Sequence, residues 1–215
     1  YVERAVKSVV NQEFDNFEII IADDSSTDNT MEIVNKLKND KIRVFKTEKN
    51  TGTAGGTRNI AIENAKGEYI IFLDGDDTLY DNKTLAKIDK IIGEDIPEID
   101  YLGYEDEGKG NKERISDEEN SSKKARLICD VTFSVSSRCW RREFLINNNM
   151  KFKTWMYYED ELYCLKSTIL SKKTKSAKIK VFKYYRNREG SVMTKPSIKK
   201  CSDWYRMLAE VVDLY

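Results

Sequence analysis

The chain of 215 residues contains no histidine. This absence excludes Ser-His-Asp and Cys-His nucleophilic mechanisms and most zinc chemistry. Any acid–base catalysis must therefore use carboxylates, lysine, tyrosine or cysteine. No Cys-x-x-Cys spacing occurs either, so we expect reduced cytosolic thiols instead of a zinc site or a disulfide framework. The four scattered cysteines are Cys129, Cys139, Cys164 and Cys201.

The chain also lacks an excess of either charge, because lysine plus arginine and aspartate plus glutamate both number 37. A protein without a global basic field is not expected to bind nucleic acid. No apolar run approaches the roughly 20 residues that span a bilayer, and the start carries no signal peptide. These absences predict a cytoplasmic protein without a transmembrane segment in this chain, either free or peripheral at the inner face of the membrane.

Short apolar runs alternate with helical patterns over the first hundred residues. The runs at residues 17–22, 42–45 and 69–73 are typical of strands, and helices are predicted between them. Strands that alternate with helices form βαβ units, so we expect an α/β fold with a mostly parallel sheet flanked by helices. The chain begins with a helical pattern, and we therefore expect that the first strand of the sheet is missing before Tyr1.

The most informative stretch is the apolar run 69–73, which ends abruptly in Asp74-Gly75-Asp76-Asp77. Crowded carboxylates repel one another, and a divalent cation relieves the repulsion because it prefers oxygen ligands. Gly75 leaves room for phosphate and permits an unusual backbone angle. Ligands of open α/β sheets bind beyond the carboxyl ends of the strands, so we predict a metal–phosphate site at Asp74 and Asp76. The alternative is an acidic turn that caps the next helix through Asp77 or Asp81.

A second strand end carries the acids Asp23 and Asp24. If the two strands are near neighbours, both acidic turns line one crevice, where a carboxylate can accept a hydrogen bond from a uracil N3–H. The glycine-containing loop at residues 51–57 includes Gly52 and offers backbone N–H groups at a helix start, and Arg58 adds a cation. Alternatively, this loop is only the entry to a helix.

Several motifs follow one another in a fixed order along the first half. They are Val9-Val10-Asn11-Gln12, Phe17-Glu18-Ile19-Ile20-Ile21-Ala22-Asp23-Asp24-Ser25-Ser26-Thr27-Asp28, Asn50-Thr51-Gly52, Arg58-Asn59, Ala65-Lys66-Gly67-Glu68-Tyr69 and Leu73-Asp74-Gly75-Asp76-Asp77. Together they resemble the nucleotide-sugar half of family-2 glycosyltransferases with the GT-A fold, a Rossmann-like fold of nucleotide-diphospho-sugar transferases. More loosely, Tyr158-Glu159-Asp160-Glu161 resembles the family's Glu-Asp motif, and residues 184–191 resemble its closing motif.

The resemblance implies one GT-A domain over residues 1–190, with a nucleotide-sugar half at 1–104 and an acceptor half at 125–190. Residues 191–215 form a separate helical segment in this interpretation. The family's first strand, which touches the nucleotide, would precede Tyr1.

The resemblance also implies roles for the candidate residues. Asp24, with Asp23 beside it, would bind the nucleobase. Asp74 and Asp76 would hold the metal, Mn²⁺ or Mg²⁺, and the diphosphate, with Asp76 as the direct ligand.

On the acceptor side, Asp160 would be the general base and Glu159 its neighbour. Arg186 and Arg188 could grip the diphosphate or the acceptor. Without the family context, residues 159–161 would instead be a solvated helix start favoured by the helix dipole.

The implied activity is metal-dependent, inverting transfer of a hexosyl or N-acetylhexosaminyl group. The donor would be a nucleotide-diphospho-sugar, most simply a UDP-sugar, and the acceptor a hydroxyl of a glycan or lipid-linked sugar. Such a reaction belongs to polysaccharide or cell-surface glycan synthesis.

Two other function classes fit parts of the sequence. Asp74-x-Asp76-x-Thr78-Leu79 after an apolar strand also resembles the first motif of haloacid-dehalogenase-type phosphatases, in which Asp74 would be the nucleophile and Asp76 an acid–base group. The strands and motifs upstream count against this interpretation. A non-catalytic nucleotide-sugar-binding module is the third possibility, and an intact Glu159-Asp160 pair near the metal site would argue against it.

Overall fold

A computed structural model describes residues 1–37, 39–92, 99–106, 134–185 and 197–213. Its helices are α1 (Val2–Val10), α2 (Thr30–Lys36), α3 (Ala54–Asn64), α4 (Thr84–Ile92), α5 (Arg142–Asn147), α6 (Glu159–Leu170) and α7 (Ile198–Val212). Its strands are β1 (Ile19–Asp23), β2 (Ile42–Lys46), β3 (Tyr69–Ile71), β4 (Thr78–Leu79), β5 (Ile99–Asp106), β6 (Arg138–Arg141) and β7 (Thr174–Tyr184). None of the helices in these ranges has the length and hydropathy of a bilayer-spanning segment.

The described strands form two sheets. Strands β1 and β2 pair in parallel, and a five-stranded sheet has the order β3-β6-β5-β7-β4. The α/β class is confirmed, but parallel pairing is limited to β1–β2 and β5–β7, and the other three pairs are antiparallel. Strand β6 inserts between β3 and β5 in the opposite direction, which needs no crossover helix. Hydrophobic periodicity reveals a buried strand but not its direction.

The residues at and just after β3 are covered on both faces, as its apolar run predicts. On one face, Ile70 and Phe72 pack in a core cluster with Trp140. On the other, Ile71 and Leu73 pack against a second cluster, which is centred on buried residues of β6, β7 and α4. The carboxylates that follow the run therefore project from a rigid base.

A cavity of about 730 Å³ lies between β1 and β3 and is lined by Ile20, Ala22, Ile70 and Phe72. Among the described strands, β1 pairs only with β2, and β3 pairs only with β6. The two facing strand edges are thus where one more strand could pair. A strand before Tyr1 stays a prediction.

Most predicted elements agree with the structure to within a few residues. The apolar spacing of residues 159–170 predicts a helix, which α6 matches, and the pattern of residues 179–185 predicts a strand, which begins earlier in the structure as β7. The amphipathic pattern from Asp203 predicts a last helix, and α7 begins at Ile198. The charged stretch 105–124 predicts a loop or insertion, and beyond the end of β5 it lies outside the described residues.

Candidate active site

The first acidic turn follows β1. Asp23 is only 6% exposed, and its carboxylate accepts hydrogen bonds from the backbone N–H of Ser26 at 3.1 Å and from the Ser26 hydroxyl at 2.5 Å. Ser25, which lies between Asp23 and Ser26, has a positive φ of 55°. A short side chain that bonds the backbone ahead of it stabilises such a turn. The structure thus gives Asp23 a turn-forming position, which places Asp24 next to the following loop.

Asp24 connects this turn to the loop before α3. Its carboxylate accepts hydrogen bonds from the backbone N–H groups of Thr51, at 2.9 and 3.0 Å, and of Gly52, at 3.2 Å. The hydroxyls of Thr47 and Thr51 add bonds of 3.1 Å. Gly52 adopts a φ of 73°, which favours glycine. The predicted residues Asp24 and Gly52 are therefore in direct contact, and the Gly52 N–H already has a carboxylate partner.

The start of α3 packs closely against the segment before α6. A Cβ at Gly55 would lie 2.1 Å from the backbone oxygen of Lys153, so no larger residue fits without movement. Thr53 donates its hydroxyl to the backbone oxygen of Thr154 at 3.1 Å. Asn59 exchanges two hydrogen bonds with the backbone of Phe152. These contacts bring the predicted nucleotide half and acceptor half together at the loop.

Arg58 lies at the centre of the site. Its Nη2 donates to Oδ1 of Asp74 at 2.9 Å, and its Nη1 donates to Oε1 of Glu159 at 3.0 Å. The Arg58 side chain is only 11% exposed. Burial alone would lower the pKa of Arg58, but the charges of Asp74, Asp160 and Glu159 raise it above its ordinary value. The guanidinium therefore stays charged and compensates the acidic groups around it.

The Asp74-Gly75-Asp76 turn is fixed from both sides. Arg4 of α1 donates to the backbone oxygen of Asp76 at 2.6 Å. Buried Asp77 accepts a hydrogen bond from the backbone N–H of Tyr185 at 3.0 Å. Gly75 does not need the unusual backbone angle that we expected, because its φ is not positive. The space around its Cα is nevertheless open, as a phosphate would require.

Asp81, the other residue considered for a helix cap, lies in the turn just before α4. Its carboxylate accepts hydrogen bonds from the backbone N–H of Lys83 and the hydroxyl of Thr84, the first residue of the helix. Asp81 therefore supports the turn that leads into α4.

Asp74 and Asp76 supply the right atoms for a hard cation. In the described residues, no group of three histidine, cysteine, aspartate or glutamate side chains converges on one point. Mg²⁺ and similar ions are commonly bound by one or two carboxylates plus substrate phosphates and water. The Asp74–Asp76 pair fits that kind of site, in which substrate phosphates and water would supply the other ligands.

Glu159 and Asp160 begin α6 beside Arg58. Burial, followed by the charge of Asp160, raises the pKa of Glu159 to about 7 although Arg58 opposes the shift. Burial also raises the pKa of Asp160, Arg58 lowers it, and Asp74 raises it again. Glu159 is 8% exposed and bonded to Arg58, whereas Asp160 is more exposed and receives the backbone N–H of Glu161 at 3.0 Å. As a whole residue, Asp160 is thus less buried than Glu159.

Glu161 is the third acid of this helix start. Burial and then the charges of Asp160 and Glu159 raise its pKa to about 7. Within the described residues, its buried Oε2 atom has no hydrogen-bond partner. The predicted alternative of a merely solvated helix start does not describe these acids, because Glu159 is buried and all three pKa values are raised.

Two predicted site residues, Arg186 and Arg188, lie outside the described residues. Three residues that support the site were not predicted from the sequence. They are Arg4, which bonds the Asp76 backbone, Asp77, which bonds the Tyr185 N–H, and Asp203 of α7, which bonds the Tyr157 N–H. A sequence signal existed only for Asp203, which occupies the face of α7 that also carries the core residue Met207 and the partly buried Val211. A carboxylate on the apolar face of a helix indicates a buried partner.

The family profile, the similar sequences and the similar structures all point to glycosyltransferases. The sequence profile of the family described as "Glycosyl transferase family 2" matches residues 1–154. The poly(ribitol-phosphate) β-N-acetylglucosaminyltransferase TarS of Staphylococcus aureus is 29% identical over 217 residues, covering 97% of this chain and 37% of TarS. The chain thus spans little more than a third of that relative.

A shorter match is more similar. The UDP-Glc:α-D-GlcNAc-diphosphoundecaprenol β-1,3-glucosyltransferase WfaP of Escherichia coli is 51% identical over 72 residues, which are 34% of this chain and 28% of WfaP.

Solved structures confirm the fold. The crystal structure of TarS 1–349 with UDP-GlcNAc superimposes with a TM-score of 0.86 at 26% identity and covers all of this chain and 62% of that one. The mannosyltransferase PcManGT of Pyrobaculum calidifontis, in complex with GDP-Man and Mn²⁺, has a TM-score of 0.71 at 15% identity. It covers 99% of this chain and 60% of that one, and at this identity it supports the fold alone.

Proposed function

The chain belongs to glycosyltransferase family 2, and from this premise we propose that it transfers a sugar from a UDP-sugar to an acceptor hydroxyl with inversion at the anomeric carbon. The observation that carries the proposal is the position of Arg58, which is bonded to both Asp74 and Glu159. One buried cation thereby joins the predicted diphosphate side of the site to the predicted catalytic helix start.

In the proposed reaction, Asp160 is the general base. The acceptor hydroxyl attacks the anomeric carbon and its proton passes to the Asp160 carboxylate. The bond from the anomeric carbon to the diphosphate breaks, and its electron pair leaves with UDP. Direct displacement needs no covalent enzyme intermediate, and the raised pKa of Asp160 makes it a stronger base than an ordinary aspartate.

Glu159 has a positioning role in this scheme. Its side chain is buried and bonded to Arg58, so it is poorly placed to meet an acceptor. By fixing Arg58, it orients the guanidinium that also holds Asp74. We propose this role for Arg58 in place of a direct phosphate contact, since both of its terminal nitrogens already have carboxylate partners.

The donor would bind along the Asp24 loop and the Asp74–Asp76 turn. The N–H groups of Thr51 and Gly52 fix the Asp24 carboxylate, which in this orientation would bond a nucleobase. Asp76 would hold Mn²⁺ or Mg²⁺ with Asp74 beside it, and the bound cation would stabilise the charge of the departing diphosphate. A UDP donor is supported by the TarS complex with UDP-GlcNAc and by the name of WfaP.

For the acceptor, we propose a hydroxyl of a cell-surface glycan or of a lipid-linked sugar. The names of the two relatives support this class, since TarS is named for poly(ribitol-phosphate) and WfaP for a diphosphoundecaprenol-linked sugar. A lipid-linked acceptor would place the protein peripherally at the inner face of the membrane.

The phosphatase alternative requires Asp74 to attack phosphate as a nucleophile. The Asp74 carboxylate instead shares Arg58 with Glu159, an arrangement that serves no step of an aspartyl-phosphate mechanism. A binding module without catalysis does not need the raised pKa values of Glu159 and Asp160. We therefore propose the transferase.

The test is UDP release from UDP-glucose and UDP-GlcNAc with Mn²⁺ or Mg²⁺, using water as the default acceptor and glycan fragments as added acceptors. We expect at least one UDP-sugar to raise the melting temperature and to be turned over, because a ligand of the folded state stabilises it by mass action. Absence of both binding and turnover for every UDP-sugar would contradict the proposal.

A further inference from the structure

The C-terminal helix α7 contacts the segment that leads into the catalytic helix α6. Met156 and Met207 are buried in one cluster with Leu162 and Leu165 of α6. Lys153 and Glu210 form an ion pair of 2.8 Å at the surface of this contact. The packing alone would hold α7 against α6 but would not fix the backbone between Trp155 and Tyr158.

The polar centre of the contact is Asp203, whose side chain is completely buried. Its Oδ2 accepts hydrogen bonds from the backbone N–H of Tyr157 at 3.1 Å and from Nζ of Lys199 at 2.5 Å. Its Oδ1 accepts a bond from Arg206 at 3.3 Å. Burial alone would raise the pKa of Asp203, but the bonds from Lys199 and Tyr157 and the nearby cations keep it below the usual value.

Lys199 extends the same network. Its Nζ also donates to the backbone oxygen of Trp155 at 3.0 Å. The segment is therefore held at two backbone positions, the carbonyl of Trp155 and the N–H of Tyr157. A buried carboxylate with this set of donors is costly to break, because its partners would be left unsatisfied.

The next residue carries backbone strain. Tyr158 has φ 64° and ψ 23°, a left-handed conformation that is strained for a non-glycine residue. Such strain persists only where the surrounding structure enforces it. Here the enforcement comes from the Asp203 bond to the preceding N–H and from edge-to-face contact between Tyr158 and Trp204, whose ring centroids lie 5.1 Å apart.

We propose that Asp203 is a positioning residue for catalysis, which holds the Tyr157–Tyr158 backbone in the strained conformation that directs Glu159 and Asp160 into the site. This inference rests on the function proposed above. Without the Asp203 bond, Tyr158 would relax toward an ordinary backbone conformation, and the first turn of α6 would rotate away from Arg58. A displacement of about 1 Å in a catalytic group can cost up to about 100-fold in rate.

The test compares the wild type with Asp203→Ala, Asp203→Asn and the control Glu210→Gln, which removes a carboxylate from the same helix at the half-exposed Lys153 pair. Turnover is measured as UDP release from UDP-GlcNAc and UDP-glucose, and UDP affinity by calorimetry. Hydrogen exchange of the backbone N–H groups of residues 155–160 reports on the segment directly.

We expect kcat of Asp203→Ala to fall about 10-fold or more, while the Kd for UDP stays within about threefold. Exchange at residues 155–160 should become faster in this variant and not in the control. Asp203→Asn keeps one acceptor oxygen for the Tyr157 N–H and should lie between wild type and Ala. If Asp203→Ala does not fold, the Asn variant carries the comparison. Glu210→Gln should match the wild type in every measurement.

A folded Asp203→Ala variant with unchanged kcat, or with unchanged exchange at residues 155–160, would overturn the proposal. An equal loss of kcat in Glu210→Gln would overturn it too, because the effect would then belong to helix packing in general. A wild type that turns over no UDP-sugar would defeat the proposed function. The exchange data would in that case still show whether Asp203 holds the segment.

Discussion

The carboxylates of Asp74 and Glu159 share one guanidinium, with Arg58 nitrogens at 2.9 Å from the first and 3.0 Å from the second. Asp74 follows β3 at the carboxyl end of the apolar run, and Glu159 begins α6 in the other half of the chain. The bridge compensates two acids that would otherwise repel each other in a partly buried site. Asp74 and Glu159 bond to Arg58, and we assign metal binding to Asp76 and base catalysis to Asp160.

Replacing Arg58 by methionine should therefore impair both stability and turnover. The substitution leaves buried Glu159 without its cation, and we expect a loss of about 1–3 kcal/mol in the free energy of unfolding and a loss of turnover. Urea unfolding and UDP release measure the two effects. Lys151→Met, which breaks the exposed Lys151–Glu63 pair of 3.3 Å, is the control and should change stability by less than about 1 kcal/mol. Equal behaviour of the two variants would refute the central position of Arg58.

Gly55→Ala should be strongly destabilising. Its new Cβ would lie 2.1 Å from the backbone oxygen of Lys153, and backbone cannot move aside as a flexible side chain can. We expect a cost of about 1–3 kcal/mol in the free energy of unfolding, the usual range for overpacking. Gly75→Ala is the matched comparison, since nothing lies within 4 Å of the position that its Cβ would take and its φ is not positive. Gly75→Ala should fold normally, and a large loss of stability there in urea unfolding would contradict the open space described above.

Much of the fold could be predicted from the sequence, because apolar runs and helical spacing are local signals. The positions of β1, β3 and α6 depend on such signals. Strand β6 was not predicted, because Arg138-Cys139-Trp140-Arg141 is not an apolar run, and its direction has no local signal.

The site was less accessible to sequence reasoning. Strand ends in aspartate indicated Asp24, Asp74 and Asp76, but the partner of each carboxylate depends on contacts between distant residues. Arg58 was expected to face phosphate, and its bond to Glu159 spans two halves of the chain that share no local pattern.

Stability should depend on pH through Glu161. The folded-state pKa of Glu161, raised by burial and then by Asp160 and Glu159, is about 7, against an ordinary value of 4.5. Between these values the folded state binds a proton more tightly than the unfolded state, so the free energy of unfolding falls as pH rises from about 4.5 to about 7. Glu159, with its pKa also raised to about 7, acts in the same direction.

The raised pKa of Asp160 acts in the same direction, and Glu161→Gln removes one of the three contributions. Urea unfolding at several pH values should therefore give a shallower decline for Glu161→Gln than for the wild type, and above about pH 7 the variant should be the more stable protein. Groups with lowered pKa values, such as Asp81, make the free energy of unfolding rise with pH, but only in the pH range below their ordinary pKa. Parallel curves for the two proteins would show that Glu161 is not buried as described.

Metal dependence should reside in Asp76. Calorimetry of UDP binding with Mn²⁺ and with EDTA should show tighter binding with the metal, because a cation held by Asp76 would attract the diphosphate. Asp76→Asn should keep the fold and lose most of that difference. Asp40→Asn, which changes an exposed carboxylate before β2, at the opposite end of the β1–β2 pair from Asp24, is the control and should retain the full metal effect. Equal UDP affinity of the wild type with and without metal would remove the proposed role.

The different roles proposed for Asp160 as the base and Glu159 as a positioning residue give the most direct test of the mechanism. In the proposed mechanism the donor binds at the turns of Asp24 and Asp76, so Asp160→Asn should leave the Kd for UDP within about threefold, or less than roughly 0.7 kcal/mol. Its turnover should fall about 100-fold or more, the usual contribution of a positioned base. Glu159→Gln keeps an oxygen that can accept a bond from Arg58 and should lose less. Steady-state rates of UDP release decide between them, and a dead Glu159→Gln beside a nearly normal Asp160→Asn would mean that the two roles are exchanged. If both variants remain active, the base lies elsewhere, because direct displacement needs a group that takes the acceptor proton and neither acid of the pair would then supply it.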